Sequence, residues 1–303
     1  MTTRKSIVSW LWKIPLCGVV HTLGAMIGGI LVAALALEMP QVPGATDQTV
    51  QALLMLPGGI AFAFGLAAMA TGLIGRWWER WAVLGTFLFV VNGVGNAIES
   101  SIFTTLGGSV GAAVVNLPGS FLCALAVALL IPGPSEASLT TRLGDFFSRW
   151  GLAPLASRFG LAILAFPVIY FLFGMMIAPI VTPHYADLDF LTIPPMTTLI
   201  PVLLLRSALL LLVSLPMIIG WDGSRPMLIL GLGLGHFTAV GLGGLIQVTF
   251  FPAILRWTHG IEILADSMVY AWVLALLFVP RTSELEEPQP IADGQIAASP
   301  AAK

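Results

Sequence analysis

Charge is what this sequence has least of. Only 9% of its 303 residues are Asp, Glu, Lys or Arg, and 57% are hydrophobic, where a soluble domain carries about 25% charged residues. A soluble fold of this length could not cover its surface with so few charges, and disordered chains are excluded on the same ground. No basic surplus exists to hold a nucleic acid, since 13 Lys and Arg face 15 Asp and Glu. Two cysteines, Cys17 and Cys123, build neither a disulfide framework nor a metal quartet. The chain has no Gly-Lys-Ser/Thr phosphate loop and no His-Glu-x-x-His pair, which argues against ATP hydrolysis and against the familiar zinc-protease signature.

What it does have is long apolar runs, with a mean hydropathy of +0.96. A helix needs about 20 such residues to cross the hydrocarbon core of a bilayer. Eight stretches qualify: 14–37, 51–74, 80–103, 109–131, 160–181, 197–219, 226–250 and 256–279. The expectation is an all-α integral membrane protein with eight transmembrane helices and the lipid bilayer as its main partner. Ala34-Leu35-Ala36 is similar to a signal-peptidase site, but the apolar run before it exceeds the about 7–15 residues of a signal core, so the first helix is expected to stay.

Between the fourth and fifth spans, residues 140–150 mix Arg142, Asp145 and Arg149 with Phe146, Phe147 and Trp150. That pattern predicts an amphipathic helix lying in the headgroup plane. The tail 281–303, rich in Pro, Glu and Ala, is expected to be disordered. Eleven Lys and Arg, among them Arg76, Arg80, Arg142, Arg149, Arg158 and Arg225, fall on one side of the eight spans. The opposite loops have none, so both termini are expected in the cytoplasm, in the inner membrane of a bacterial-type cell. Seven tryptophans, including Trp77, Trp78 and Trp221, fall on the same side, where indoles favour the interface.

The second half echoes the first at a spacing of 144–148 residues. Leu56-Pro57 answers to Ile200-Pro201, Leu73-Ile74-Gly75 to Ile218-Ile219-Gly220, Ala97-Ile98-Glu99 to Leu245-Ile246-Gln247, and Leu129 to Pro132 matches Leu277 to Pro280. Four helices per half give a parallel 4+4 repeat about an axis along the membrane normal. The expected units are 1–132, a cytoplasmic linker 133–159, 160–280 and the tail 281–303. Gly24, Gly28, Gly231, Gly233 and Gly235 supply small surfaces for helix packing. Pro57-Gly58 and Pro118-Gly119 are expected to interrupt their helices and to face the bundle interior.

Ionisable groups inside a bilayer cost at least about 2.5–3.5 kcal/mol near its centre, so they mark function. The last span carries Arg256, then His259, Glu262 and Asp266 on one face. The third carries Asn92, Asn96 and Glu99 at i, i+4 and i+7, and the seventh His236 and Gln247, eleven residues apart and hence on one side. Arg206 stands in the sixth among leucines, with no partner nearby in sequence. Glu99, Arg206, His236, Gln247, His259, Glu262 and Asp266 share the outer half of the membrane, with Asn92 and Asn96 deeper, which predicts one polar cavity opening outward. His21, in the inner third of the first span, is expected to make an interior hydrogen bond or to stand at the inner mouth. His184, Asp187 and Asp189 read as a solvated outer loop.

The chemistry fits a transporter or permease of a small polar or charged solute, with Glu262 and Asp266 carrying protons or cations. An alternative is a membrane-embedded enzyme in which His259 and Glu262 hold a divalent metal. Haem on His236 and His259 is disfavoured, because Glu262 and Asp266 would crowd an apolar macrocycle. A polar network that only fixes helix packing is the remaining alternative. The sequence does not set the oligomeric state.

Overall fold

A computed structural model describes residues 2–40, 48–185 and 187–279. The tail 281–303 lies outside them. Among the described residues the chain is helical throughout, and eight helices are long and apolar enough to cross a membrane. In order these are α1 (Thr2–Ala34), α2 (Gln48–Ala70), a third rod, α5 (Ser109–Leu130), α7 (Leu152–Tyr185), α8 (Met196–Ile219), a seventh rod and α11 (Ala253–Phe278). The third rod joins α3 (Trp77–Leu88), a π-helical segment π1 (Phe89–Gly95) and α4 (Asn96–Phe103). The seventh repeats that pattern with α9 (Arg225–Phe237), π2 (Thr238–Leu242) and α10 (Gly243–Gln247). The short α6 (Leu139–Arg149) follows α5.

Each span falls where the hydropathy predicts it, and most ends are displaced by only a few residues. Two helices begin well ahead of expectation: α1 at Thr2, and α7 at Leu152, inside the expected linker, where it makes one 34-residue rod through Pro167, Pro179 and Pro183. The interruptions are also elsewhere than expected. Helices α2 and α5 run unbroken through Pro57 and Pro118. The irregular turns are π1 and π2, which contain no proline.

Helix ends are tied down at one end of the bundle. The Glu79 carboxylate accepts from the backbone N–H groups of Arg76, at 2.9 Å, and of Leu139 and Thr140, at 3.2 and 3.4 Å, so one anion serves the N-termini of α3 and α6. Arg80, beside it, donates to the carbonyls of Ala70, Ala128 and Ile131 at the C-terminal ends of α2 and α5. Arg225 and Arg158 do the same for α11, donating to Ala275 and Leu277. The arginines that the topology argument counts as surface charge thus also satisfy carbonyls that a helix end leaves open. Trp81 and Trp221 likewise turn inward: the Trp81 indole donates to Phe121 O at 2.9 Å, and Trp221 packs over Gly72 and Gly231.

Two short backbone pairings join segments distant in sequence. Ile74 donates to Gly220 O at 3.0 Å and Asp222 to Gly72 O at 2.8 Å, making an antiparallel bridge between Leu73 and Trp221. At the other end Thr105 donates to Phe190 O at 2.9 Å and Thr192 to Phe103 O at 2.8 Å. The turn before α5 needs Gly108 in the left-handed region, φ +61°, because a side chain there would also strike the Met39–Pro40 backbone.

Helix α1 lies in backbone contact with α2 and α5. Gly24 meets Gly119, Gly28 meets the Val115 carbonyl, and Gly18 meets Ile60. Gly233 and Gly235 take in the sulfurs of Met268 and Met69 in the same way. These glycines act as the expected packing surfaces. Elements also recur in register: α2 and α8 start at 48 and 196, α3 and α9 at 77 and 225, and α5 and α11 end at 130 and 278, each pair 148 residues apart.

Candidate functional site

A cavity of about 350 Å³ lies among α4, α7, α8, π2 and α11. Helical periodicity builds its floor. His259, Glu262, Asp266 and Tyr270 succeed one another at i+3, i+4 and i+4, so one stripe of α11 faces the space. Asn96 and Glu99 enter from α4, Arg206 from α8, and His236 from the end of α9.

The charges pair across elements. Arg206, 4% exposed, donates to the Glu99 carboxylate, so its partner comes from another helix 107 residues away in sequence. His259 Nδ1 is 2.8 Å from Glu262 Oε2, and its Nε2 is 2.7 Å from the Tyr185 hydroxyl. Asp266 is 6% exposed and its Oδ1 has no hydrogen-bond partner. His236, 2% exposed, holds Ser214 through Nε2 at 2.9 Å and stacks on Phe87, while its Nδ1 is unpartnered.

Of the residues expected here, Asn92 and Gln247 lie outside the lining. Asn92 instead accepts from Asn96 Nδ2 at 3.0 Å and donates to Asn116 on α5 at 2.9 Å. Gln247 donates to Gly243 O at 3.0 Å and packs on Gly58. Both departures have one cause. The expectation ran a constant 3.6-residue period through each helix, and a π turn, closing i to i+5, shifts the phase of everything beyond it. Asn92 sits within π1, and π2 separates Gln247 from His236. Arg256 also lies outside the lining, with its Nε unpartnered. His21 is buried against Phe62 with neither ring nitrogen bonded, so the expected hydrogen bond is absent. Asp187 and Asp189 are exposed in the loop after α7, whereas His184, expected in that loop, lies half-buried in the last turn of α7, which runs further than the hydropathy predicts.

The metal reading does not fit these side chains. Both nitrogens of His259 are engaged, one by the very Glu262 proposed as co-ligand. Among the described residues no three His, Cys, Asp or Glu side chains converge as an ion requires. Haem fares no better, since His259 has no nitrogen left to serve as axial ligand.

Residue-by-residue listing of polar groups missed the aromatic wall. Phe166, Tyr170, Tyr185 and Tyr270 all line the cavity. Phe166 meets Tyr270 edge-on at 5.3 Å, and the Arg206 guanidinium lies 5.7 Å from the Phe166 ring centre. The signal was available: the chain has three tyrosines, and all three are here.

Compared with protein-family models, with curated proteins and with solved structures, the chain matches none. The geometry of the cavity therefore carries the functional argument alone.

Proposed function

We propose that this multi-pass protein is a carrier of a small polar or charged solute in a bacterial-type inner membrane, with both termini cytoplasmic and two parallel four-helix halves. The observation that carries this reading is the Arg206–Glu99 pair in the wall of a polar cavity. It joins α8 of the second half to α4 of the first, so relative movement of the halves would make and break a charge contact beside the solute. Carriers built from repeats bind at such junctions.

The 148-residue spacing of elements supports the repeat. Leu73 and Trp221, which pair across the halves, are themselves 148 apart, as two residues beside a two-fold axis would be. Counting 148 from Arg206 and Glu99 gives Gly58 and Gln247, which are also in contact. The pairs noted in sequence at 144 and 145 residues are therefore offset from this register by three or four positions. Orientation rests on the one-sided distribution of Lys and Arg.

The bonded row Tyr185–His259–Glu262, with Asp266 one turn further along α11, offers a proton path along one wall of the cavity. Proton-coupled transport is the direct test. Proteoliposomes holding the full chain and a pH-sensitive dye would be given a proton gradient with amines, amino acids or organic acids in turn. One class should move protons with it, and His259→Phe should cut that flux by about tenfold or more. No flux with any class would overturn the carrier reading. A chemically altered solute would point instead to an embedded enzyme using the same row for acid–base chemistry.

A further inference from the structure

The charges around the cavity do not cancel. Arg206 is taken by Glu99 and His259 is bonded to Glu262, which leaves Asp266 as the carboxylate without a partner. It is more than nine-tenths buried and lines the cavity. A buried carboxylate without a donor is costly, and a positive charge brought to it would satisfy it. One such charge meets Asp266.

The rest of the wall says what should carry that charge. Tyr270 stands one turn from Asp266 on α11, Phe166 packs edge-on against it, and Tyr170 lies 6.4 Å from Phe166. Aromatic faces attract cations within about 6 Å of the ring centre. The chain already uses this wall in that way, with the Arg206 guanidinium over Phe166. An anion or zwitterion would need a free cationic group, and the one arginine in the wall is engaged. A bare metal ion would need about six oxygen ligands, which the donor set lacks, whereas about 350 Å³ is the size of site that holds a small molecule.

We propose that the solute is a small monovalent organic cation, an ammonium with apolar arms, its charge against Asp266 and its arms on Phe166, Tyr170 and Tyr270. This deepens the reading above and rests on the cavity being the solute site, but it does not require that the solute be carried across.

The test is isothermal titration of the full-length chain in detergent with three probes of similar shape: 2-phenylethylammonium, 2-phenylethanol and 3-phenylpropionate. The ammonium should fill one site, with the alcohol and the carboxylate binding at least about tenfold more weakly. Asp266→Asn should weaken the ammonium by about 10- to 100-fold and Tyr270→Leu by about two- to fivefold, and excess potassium should not compete. Equal binding of the alcohol or carboxylate, no binding of the ammonium, displacement by potassium, or full affinity in folded Asp266→Asn would each overturn the proposal. Should Asp266→Asn fail to fold, the three probes on the unaltered chain decide by themselves. An ammonium that binds but is not carried in proteoliposomes would overturn the carrier reading and leave this one standing. Carriage of a non-cationic solute would do the reverse.

Discussion

Two regions of this molecule, α1 with α2 and α5 and α7 with α8 and α11, set three helices at similar separations in sequence and treat the space between them differently. In the first, α1 presses onto α2 and α5 until backbones touch, at Gly18, Gly24 and Gly28. In the second, α7 packs on α8 and α11 but leaves the cavity beside them. The residues involved stand 148 positions apart. Counting 148 from Gly18, Gly58, Gly111 and Gly119 gives Phe166, Arg206, His259 and Ser267, all in the cavity wall. Each of the four glycines sits where a side chain would collide with a neighbouring residue. Glycine lets backbone fill the first region, and polar and aromatic side chains at the positions 148 further on line a pocket in the second.

The largest effect expected from this contrast is a collision in the closed region. Gly28→Val would drive its side chain into the Val115 carbonyl and should cost about 3 kcal/mol or more, since backbone cannot give way. Its counterpart, Met176, is 66% exposed, so Met176→Val should stay within about 0.5 kcal/mol. Thermal unfolding in detergent, followed by tryptophan fluorescence, measures both, and equal losses would erase the contrast.

Next comes the charge pair. Arg206→Met strands Glu99 and should cost about 1.5–3 kcal/mol, with at least half recovered when Glu99→Leu is added, because removing both partners of a buried pair is often neutral. The corresponding change at the Gly58–Gln247 contact, Gln247→Leu, should cost less than about 1 kcal/mol. A double variant no better than the single would mean that Arg206 does more than hold Glu99.

His21→Leu should leave stability unchanged or raise it by about 1 kcal/mol, since it removes a buried ring with no hydrogen-bond partner. Solute flux should not alter, and a loss in either measurement would bring His21 into the working machinery. The smallest effect is Asn116→Leu, which removes the interhelical bond from Asn92 and a bond to Ala112 O within its own helix; losing the interhelical bond should cost about 0.6 kcal/mol.

The spans were legible because hydropathy over about 20 residues averages out local irregularity. Most of the cavity was legible for a related reason: a buried charge is so costly that Arg206, Glu262 and Asp266 announce an interior site from composition alone. What escaped was phase and partnership. Glu99 as the partner of Arg206 depends on two helices distant in sequence. Asn92 and Gln247 were misassigned because nothing in Phe89–Gly95 or Thr238–Leu242, neither proline nor charge, marks a π turn. His21 was given a bond on general grounds, and only the packing of Gly59 and Gly119 around it leaves no donor or acceptor in reach.

The π segments also decide which changes in chain length this protein can survive. A residue lost from an ordinary helix turns all that follows by about 100°. Loss of one residue between Phe89 and Gly95 would let that stretch close as plain α-helix, at little expense in hydrogen bonds. The helix would still be long and apolar enough to cross the bilayer, and every polar side chain would remain. Because a π turn holds one residue more than an α turn, the loss would also leave Asn96–Phe103 in register, with Glu99 still aimed at Arg206. The same loss within α3, or within α4 ahead of Glu99, would turn Glu99 away from the pair, so the length of the third rod is free at one stretch and fixed on either side of it.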